Sequence, residues 1–152
     1  MKIINQDITL IEEGIICHQV NTWGVMGSGL AKQIRAKFPD VFEFYNGVCD
    51  RAPNKDSLLG SGLLVNVNKK LQIANLFGQS NYGTKGQFTD YSALKDAFEG
   101  VLREANSTGK KVYVPLGMGC GLGGGSWMTV QRMIENAEKE FNIEVIVCRY
   151  TV

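Results

Sequence analysis

Apolar positions along the 152-residue chain fall into two alternating rhythms. Short, nearly continuous apolar runs recur at residues 2–4, 14–20, 63–67, 71–77, 112–116 and 143–148. Runs of this length between turn residues read as strands, and runs apolar at almost every position suit a sheet covered on both faces. Between them lie segments whose apolar residues recur three or four apart, the spacing that gathers side chains on one helical face. Leu30, Ile34 and Phe38 form the first such stripe, which Pro39 ends because proline disfavours helical geometry at the preceding residue. Val41, Phe44, Tyr45 and Val48 form the second, with Asp40 placed as its cap. A third runs through Tyr91, Leu94, Phe98, Val101, Leu102 and Ala105, and a fourth through Val130, Met133, Ile134, Ala137 and Phe141.

The connections have turn chemistry. Residues 5–7 read as a turn, 51–61 as a polar connection, 68–70 as the link of a strand pair, and 78–87 (GQSNYGTKGQ) as a flexible loop. The order ββα(α)ββαβαβ predicts an α/β fold: one three-layer α/β/α sandwich around a mixed central sheet, spanning residues 1–152 as a single domain. No internal repeat or low-complexity linker interrupts it.

Composition narrows the partners. Sixteen Lys and Arg against fifteen Asp and Glu give a net charge of +1, so no broad basic field draws in nucleic acid or an anionic membrane. A small anion remains within reach of local backbone dipoles. Residues 1–10 include Lys2, Asn5, Gln6 and Asp7 and lack the apolar core of a secretory leader, and no run is long enough to span a bilayer. Cys17, Cys49, Cys120 and Cys148 form no CxxC pair, and His18 is the only histidine. Free thiols in a reducing cytoplasm are expected, with no metal and no cofactor.

Two loops stand out. Residues 21–29 (NTWGVMGSG) and 117–125 (GMGCGLGGG) each follow a buried strand and open a helix. The first N–H groups of a helix have no intrahelical acceptor and lie at the positive end of its dipole. Glycine lets such a backbone come close to an anion. Six glycines in nine residues exceed the needs of a tight turn, and two such loops at one sheet edge would grip a pyrophosphate from both sides. Gly24 and Gly29 have P-loop spacing, but Leu30 and Ala31 replace the Lys and Ser/Thr that a P-loop requires. Gly119, Gly121 and Gly124 match GxGxxG, yet fewer than thirty residues follow, too few for the second half of a dinucleotide fold.

At these loops the sequence resembles the macro domain family, in the branch of ADP-ribose 1''-phosphate phosphatases and terminal ADP-ribose glycohydrolase-like proteins, which has bacterial and phage members. The matching segments are residues 5–8 (NQDI), 17–38 (CHQVNTWGVMGSGLAKQIRAKF) and 115–127 (PLGMGCGLGGGSW), with a weaker match at 150–152 (YTV). The resemblance implies ADP-ribose, or a derivative, as ligand. It implies that Asp7 accepts a hydrogen bond from the adenine amino group with Ile8 beside the ring, and that Tyr150 packs near the adenine. It places Asn21 at the distal ribose, Gly27, Ser28, Gly29 and Leu30 along one side of the diphosphate, and Gly117, Met118, Gly119, Cys120, Gly121 and Leu122 along the other. Asp7 also fits a turn-forming role, and Tyr150 that of a sheet-edge aromatic. The chain departs from the glycohydrolase pattern, with Gly123 in place of an aspartate after GCGL and Gly78 or Gln79 near the expected lysine.

For catalysis, His18 is the one side chain with an ordinary pKa near neutrality, and it matches a histidine of the phosphatase-like relatives. Asp90, at the start of a helix, is the candidate base or water-orienting group, or else a helix cap. Cys120 lies near helix N–H groups, but no second histidine partners it as a nucleophile. The expected activity is hydrolysis of ADP-ribose 1''-phosphate or of a related ADP-ribosyl linkage. The alternative is a non-catalytic module that senses ADP-ribose. Nucleic acid and membrane are not expected partners.

Overall fold

The computed structural model describes residues 1–83 and 85–150, and each segment of the apolar pattern takes its expected form. In order these are β1 (Lys2–Asn5), β2 (Gly14–Asn21), α1 (Gly29–Lys37), α2 (Pro39–Arg51), β3 (Gly62–Asn66), β4 (Leu71–Gln79), α3 (Tyr91–Thr108), β5 (Val112–Pro115), α4 (Trp127–Phe141) and β6 (Val145–Arg149). Two short 3-10 turns are added: Ile8–Leu10, just after the turn at residues 5–7, and Lys55–Leu58, within the polar connection 51–61. Among the described residues, no helix is long and apolar enough to cross a membrane. Of the terminal YTV match, Thr151 and Val152 lie outside the described residues, as does Thr84 of the loop after β4.

The sheet runs β1-β6-β5-β2-β4-β3, with every neighbouring pair parallel except β3 with β4. It is therefore mixed, as expected. Alternation along the strands sorts the core into layers. Ile15, Cys17, Ala74 and Leu76 pack under α3 and α4, whose stripe residues Leu94, Phe98, Val101, Leu102, Val130 and Ile134 join the same cluster. On the opposite face Ile16 and Ile73 pack under Ile34 of α1, while Val20 and Phe77 pack under Tyr45 of α2. The near-continuous apolar character of β2 follows, because the strand is central and covered on both faces.

One helix start differs from expectation. Pro39 takes the first helical position of α2, where its missing N–H costs nothing, so Phe38 rather than Asp40 holds the cap position. Asp40 lies one residue further on, with its charge near the positive helix end. Helix α3 begins at Tyr91, capped by Asp90.

Candidate functional site

The loops after β2 and β5 leave neighbouring parallel strands at the same sheet edge. Between them lies a cleft of about 580 Å³. The chain order reverses here. From β2 it runs through α1 and α2 to the β3–β4 side, and from β4 it returns through α3 to β5 on the other side of β2. Loops that diverge toward opposite faces leave a crevice, the usual ligand position in open α/β sheets.

The first loop is organised by Asn21. Its Oδ1 accepts from Trp23 N at 3.0 Å, Val25 N at 3.3 Å and the Tyr45 hydroxyl at 3.0 Å, while Nδ2 donates to Val25 O at 2.8 Å. One Nδ2 proton remains for a ligand. The loop ends at Ser28, whose backbone is extended and whose side chain makes no capping bond to α1. Among the described residues, the amides of Gly27, Ser28, Gly29 and Leu30 find no acceptor in the chain. A helix start left uncapped in this way is an anion seat.

The second loop is a run of three turns, closed by Met118 N to Pro115 O at 3.1 Å, Cys120 N to Gly117 O at 2.8 Å and Gly124 N to Gly121 O at 3.0 Å. The turns consume those three amides, and Gly125 N donates to Gly119 O at 2.9 Å. Among the described residues, Gly117, Gly119, Gly121, Leu122 and Gly123 keep their N–H groups unbonded. Gly117 and Gly119 hold left-handed backbone angles, φ +80° and +77°, which favour glycine. Gly121 has no such angle, and a Cβ there would meet nothing within 4 Å.

His18, on β2, is 2% exposed and borders the cleft. Its Nε2 lies 2.6 Å from Asn75 Oδ1 across the β2–β4 register. Asn75 Nδ2 donates to Leu63 O at 3.1 Å, so Oδ1 faces the ring and Nε2 carries the proton. Nδ1 is the ring atom left bare, and it is buried without a partner. Burial holds the imidazole pKa down to about 4, against a smaller upward push from the Asn75 bond.

Of the residues singled out in the sequence, the structure brings His18, Asn21, Gly27, Ser28, Gly29, Leu30, Gly117, Met118, Gly119, Gly121 and Leu122 to the cleft. Five others lie outside its lining. Asp7 accepts from Thr9 N at 2.9 Å and from the Thr9 hydroxyl at 2.7 Å, capping the turn that contains the buried Ile8. Tyr150 is exposed after β6, the strand paired with β1, so it and Asp7 stand further along the same edge. Cys120 is half-buried with its thiol pKa pushed up by desolvation, the opposite of an activated nucleophile. Asp90 accepts from Ala93 N at 3.0 Å as the cap of α3. Residues not singled out also line the cleft, among them Gln19, Val25, Gln79, Tyr82 and Leu116. The one signal for Gln19 was its place beside His18, as a polar residue in a strand that begins apolar.

No family model matches the chain. It is 25% identical over 146 residues to a DNA ADP-ribosyl transferase–DNA ADP-ribosyl glycohydrolase fusion protein of Thermosipho africanus, matching 84% of this chain and spanning 38% of that protein's length. It is 24% identical to an ADP-ribose 1''-phosphate phosphatase of Scheffersomyces stipitis, covering 87% of this chain and 88% of that one. Among solved structures, a macrodomain protein from Streptomyces coelicolor superposes with a TM-score of 0.81 at 26% identity, covering 99% of both chains. Likeness along the full chain and the mixed six-stranded sheet, with the two glycine loops at its switch point, give the chain the fold of the macrodomain proteins it is similar to.

Proposed function

We propose that the cleft binds ADP-ribose and that the chain hydrolyses the phosphomonoester of ADP-ribose 1''-phosphate, or a related bond at the distal ribose. One observation carries the reading: two rows of unbonded backbone amides border a single cleft, one from each loop. Among the described residues no lysine or arginine lines that cleft, so the diphosphate is met by backbone dipoles and the start of α1. Val20, Val25, Leu30 and Met118 supply apolar wall for the remainder of the ligand.

Space favours the phosphomonoester over the lysine-dependent glycohydrolase pattern. A Cβ at Gly123 would stand 2.6 Å from Thr89 Oγ1 and 2.7 Å from Gly119 O, and one at Gly78 would overlap Gln19 Oε1. Gly123 admits no side chain without moving backbone, whereas at Gly78 the end of the flexible Gln19 side chain would have to turn aside. In this reading His18, which borders the cleft with an unpartnered though buried Nδ1, is the candidate proton acceptor for a water attacking phosphorus, while the departing ribose oxygen takes its proton from solvent. The four cysteines form no disulfide among the described residues, in keeping with a cytoplasmic setting.

The test is phosphate release from ADP-ribose 1''-phosphate alongside calorimetry with ADP-ribose. Release that vanishes in His18→Ala while ADP-ribose still binds supports the hydrolase. Gly121→Val, tolerated by open space in the free chain, should weaken ADP-ribose by about tenfold to a hundredfold through loss of one or two amide contacts. A second reading, a non-catalytic ADP-ribose module, draws on Asp90 serving as a helix cap. Tight binding with no phosphate released selects it and overturns the hydrolase.

A further inference from the structure

The second glycine loop is not held by its own turns alone. Two of its carbonyls end on Thr89: the hydroxyl donates to Gly119 O at 2.7 Å, and the Thr89 amide donates to Gly123 O at 3.0 Å. Phe88 N also donates to Gly123 O, at 2.7 Å. One residue thus ties the turn that starts at Gly117 to the turn that starts at Gly121. Thr89 is 4% exposed and does not line the cleft.

Its hydroxyl is fixed in turn. Gln19 Nε2 donates to Thr89 Oγ1 at 2.8 Å and to Gln79 Oε1 at 2.7 Å, and Gln79 Nε2 donates to Asn81 O at 2.7 Å. The carbonyls of Asn81 and Gly119 can only accept, which sets the direction of every bond between them. Gln79 must present its amino group to Asn81, Thr89 its proton to Gly119, and Gln19 both of its protons between the two. The result is a polarised relay from the loop after β4, through the end of β2, to the glycine loop. It sits directly against the backbone it supports, since a Cβ on Gly119 would lie 3.1 Å from Gln19 Oε1.

We propose that Thr89, supported by Gln19 and Gln79, is a positioning residue for diphosphate recognition, holding the amides of Gly119, Gly121, Leu122 and Gly123 in the orientation that meets the anion. The proposal rests on the ADP-ribose reading and names the part of the chain that makes its second row of amides competent. A loop so rich in glycine has many backbone states, and affinity gains when the ligand-ready state is held in advance.

Thr89→Val keeps the shape and removes the hydroxyl, whereas Thr89→Ser keeps the hydroxyl. Calorimetry with ADP-ribose well below the melting temperature reads the folded protein alone, so a lower stability does not imitate a weaker site. The valine variant should bind about tenfold more weakly, the worth of one misplaced hydrogen-bonding group, and the serine variant within about threefold of the parent. In the ligand-free chain, the backbone amide resonances of residues 119–123 should move in the valine variant and return in the serine variant. Equal affinity of valine variant and parent, or equal loss in both variants, overturns the proposal. A parent that takes up no ADP-ribose sinks the binding reading and with it the recognition role of Thr89, whereas loop resonances unmoved in the valine variant of a parent that does bind overturn the positioning role alone.

Discussion

Asn75 donates its amide nitrogen to Leu63 O, which leaves only its carbonyl oxygen for His18. One backbone carbonyl on an edge strand thereby sets the tautomer of a histidine two strands away. Sequence reading reached His18 because it is the only histidine, but not Asn75, since their contact spans 57 residues and exists only through the β2–β4 register. The buried ring has a consequence for stability. Its folded pKa of about 4 lies below its ordinary value of 6.5, so between those values the unfolded chain takes up a proton that the folded chain refuses. The stabilisation is complete above pH 6.5 and is lost as pH falls toward 4. From pH 7 to pH 5 this one group removes about 2 kcal/mol. Urea unfolding of the parent and of His18→Gln at the two pH values should therefore show the parent losing about that much more. Parallel losses in both chains would mean that the imidazole is not held neutral by the fold.

Helices and strands were legible because the two periodicities differ so plainly. The run at residues 14–20 has no helical spacing, and the Tyr91 to Ala105 stripe has no alternation. Pro39 marked the break between α1 and α2 correctly, yet the cap position was misplaced, because proline's preference for the first helical position outranked aspartate's preference for the cap. The loop after β4 read as flexible from its glycines and polar residues. What escaped that reading is the pinning of its far end by Phe88 and Thr89 on Gly123, contacts between segments distant in sequence. Asp90 separates the two roles considered for it. If it serves as the cap, Asp90→Ala removes its bond to Ala93 N and costs about 1 kcal/mol of stability, while ADP-ribose affinity and phosphate release persist. A variant that folds normally and releases no phosphate would return Asp90 to the chemistry.

At the scale of the molecule, the glycine loops were readable as anion-binding backbone, but their meeting at one cleft depended on a strand order that periodicity does not encode. That order places β2 beside β5 and sends their following helices to opposite faces. The amides of both loops then converge with a net chain charge of only +1 and no lysine or arginine in the described lining. Recognition by fixed dipoles behaves differently from recognition by mobile cations. Long basic side chains act on an anion partly through solvent and lose strength as salt screens them, with a Debye length of about 10 Å at 0.1 M falling to about 3 Å at 1 M. Amides in direct hydrogen-bonding contact inside a cleft are screened much less. Calorimetric affinity for ADP-ribose should accordingly change by less than about threefold between 0.05 M and 0.5 M sodium chloride. Inorganic pyrophosphate, which keeps the charge and lacks the apolar contacts, should bind far more weakly at either concentration. A steep loss of ADP-ribose affinity with salt would instead place a lysine or arginine on the ligand, and the backbone-only account of the cleft would have to be given up.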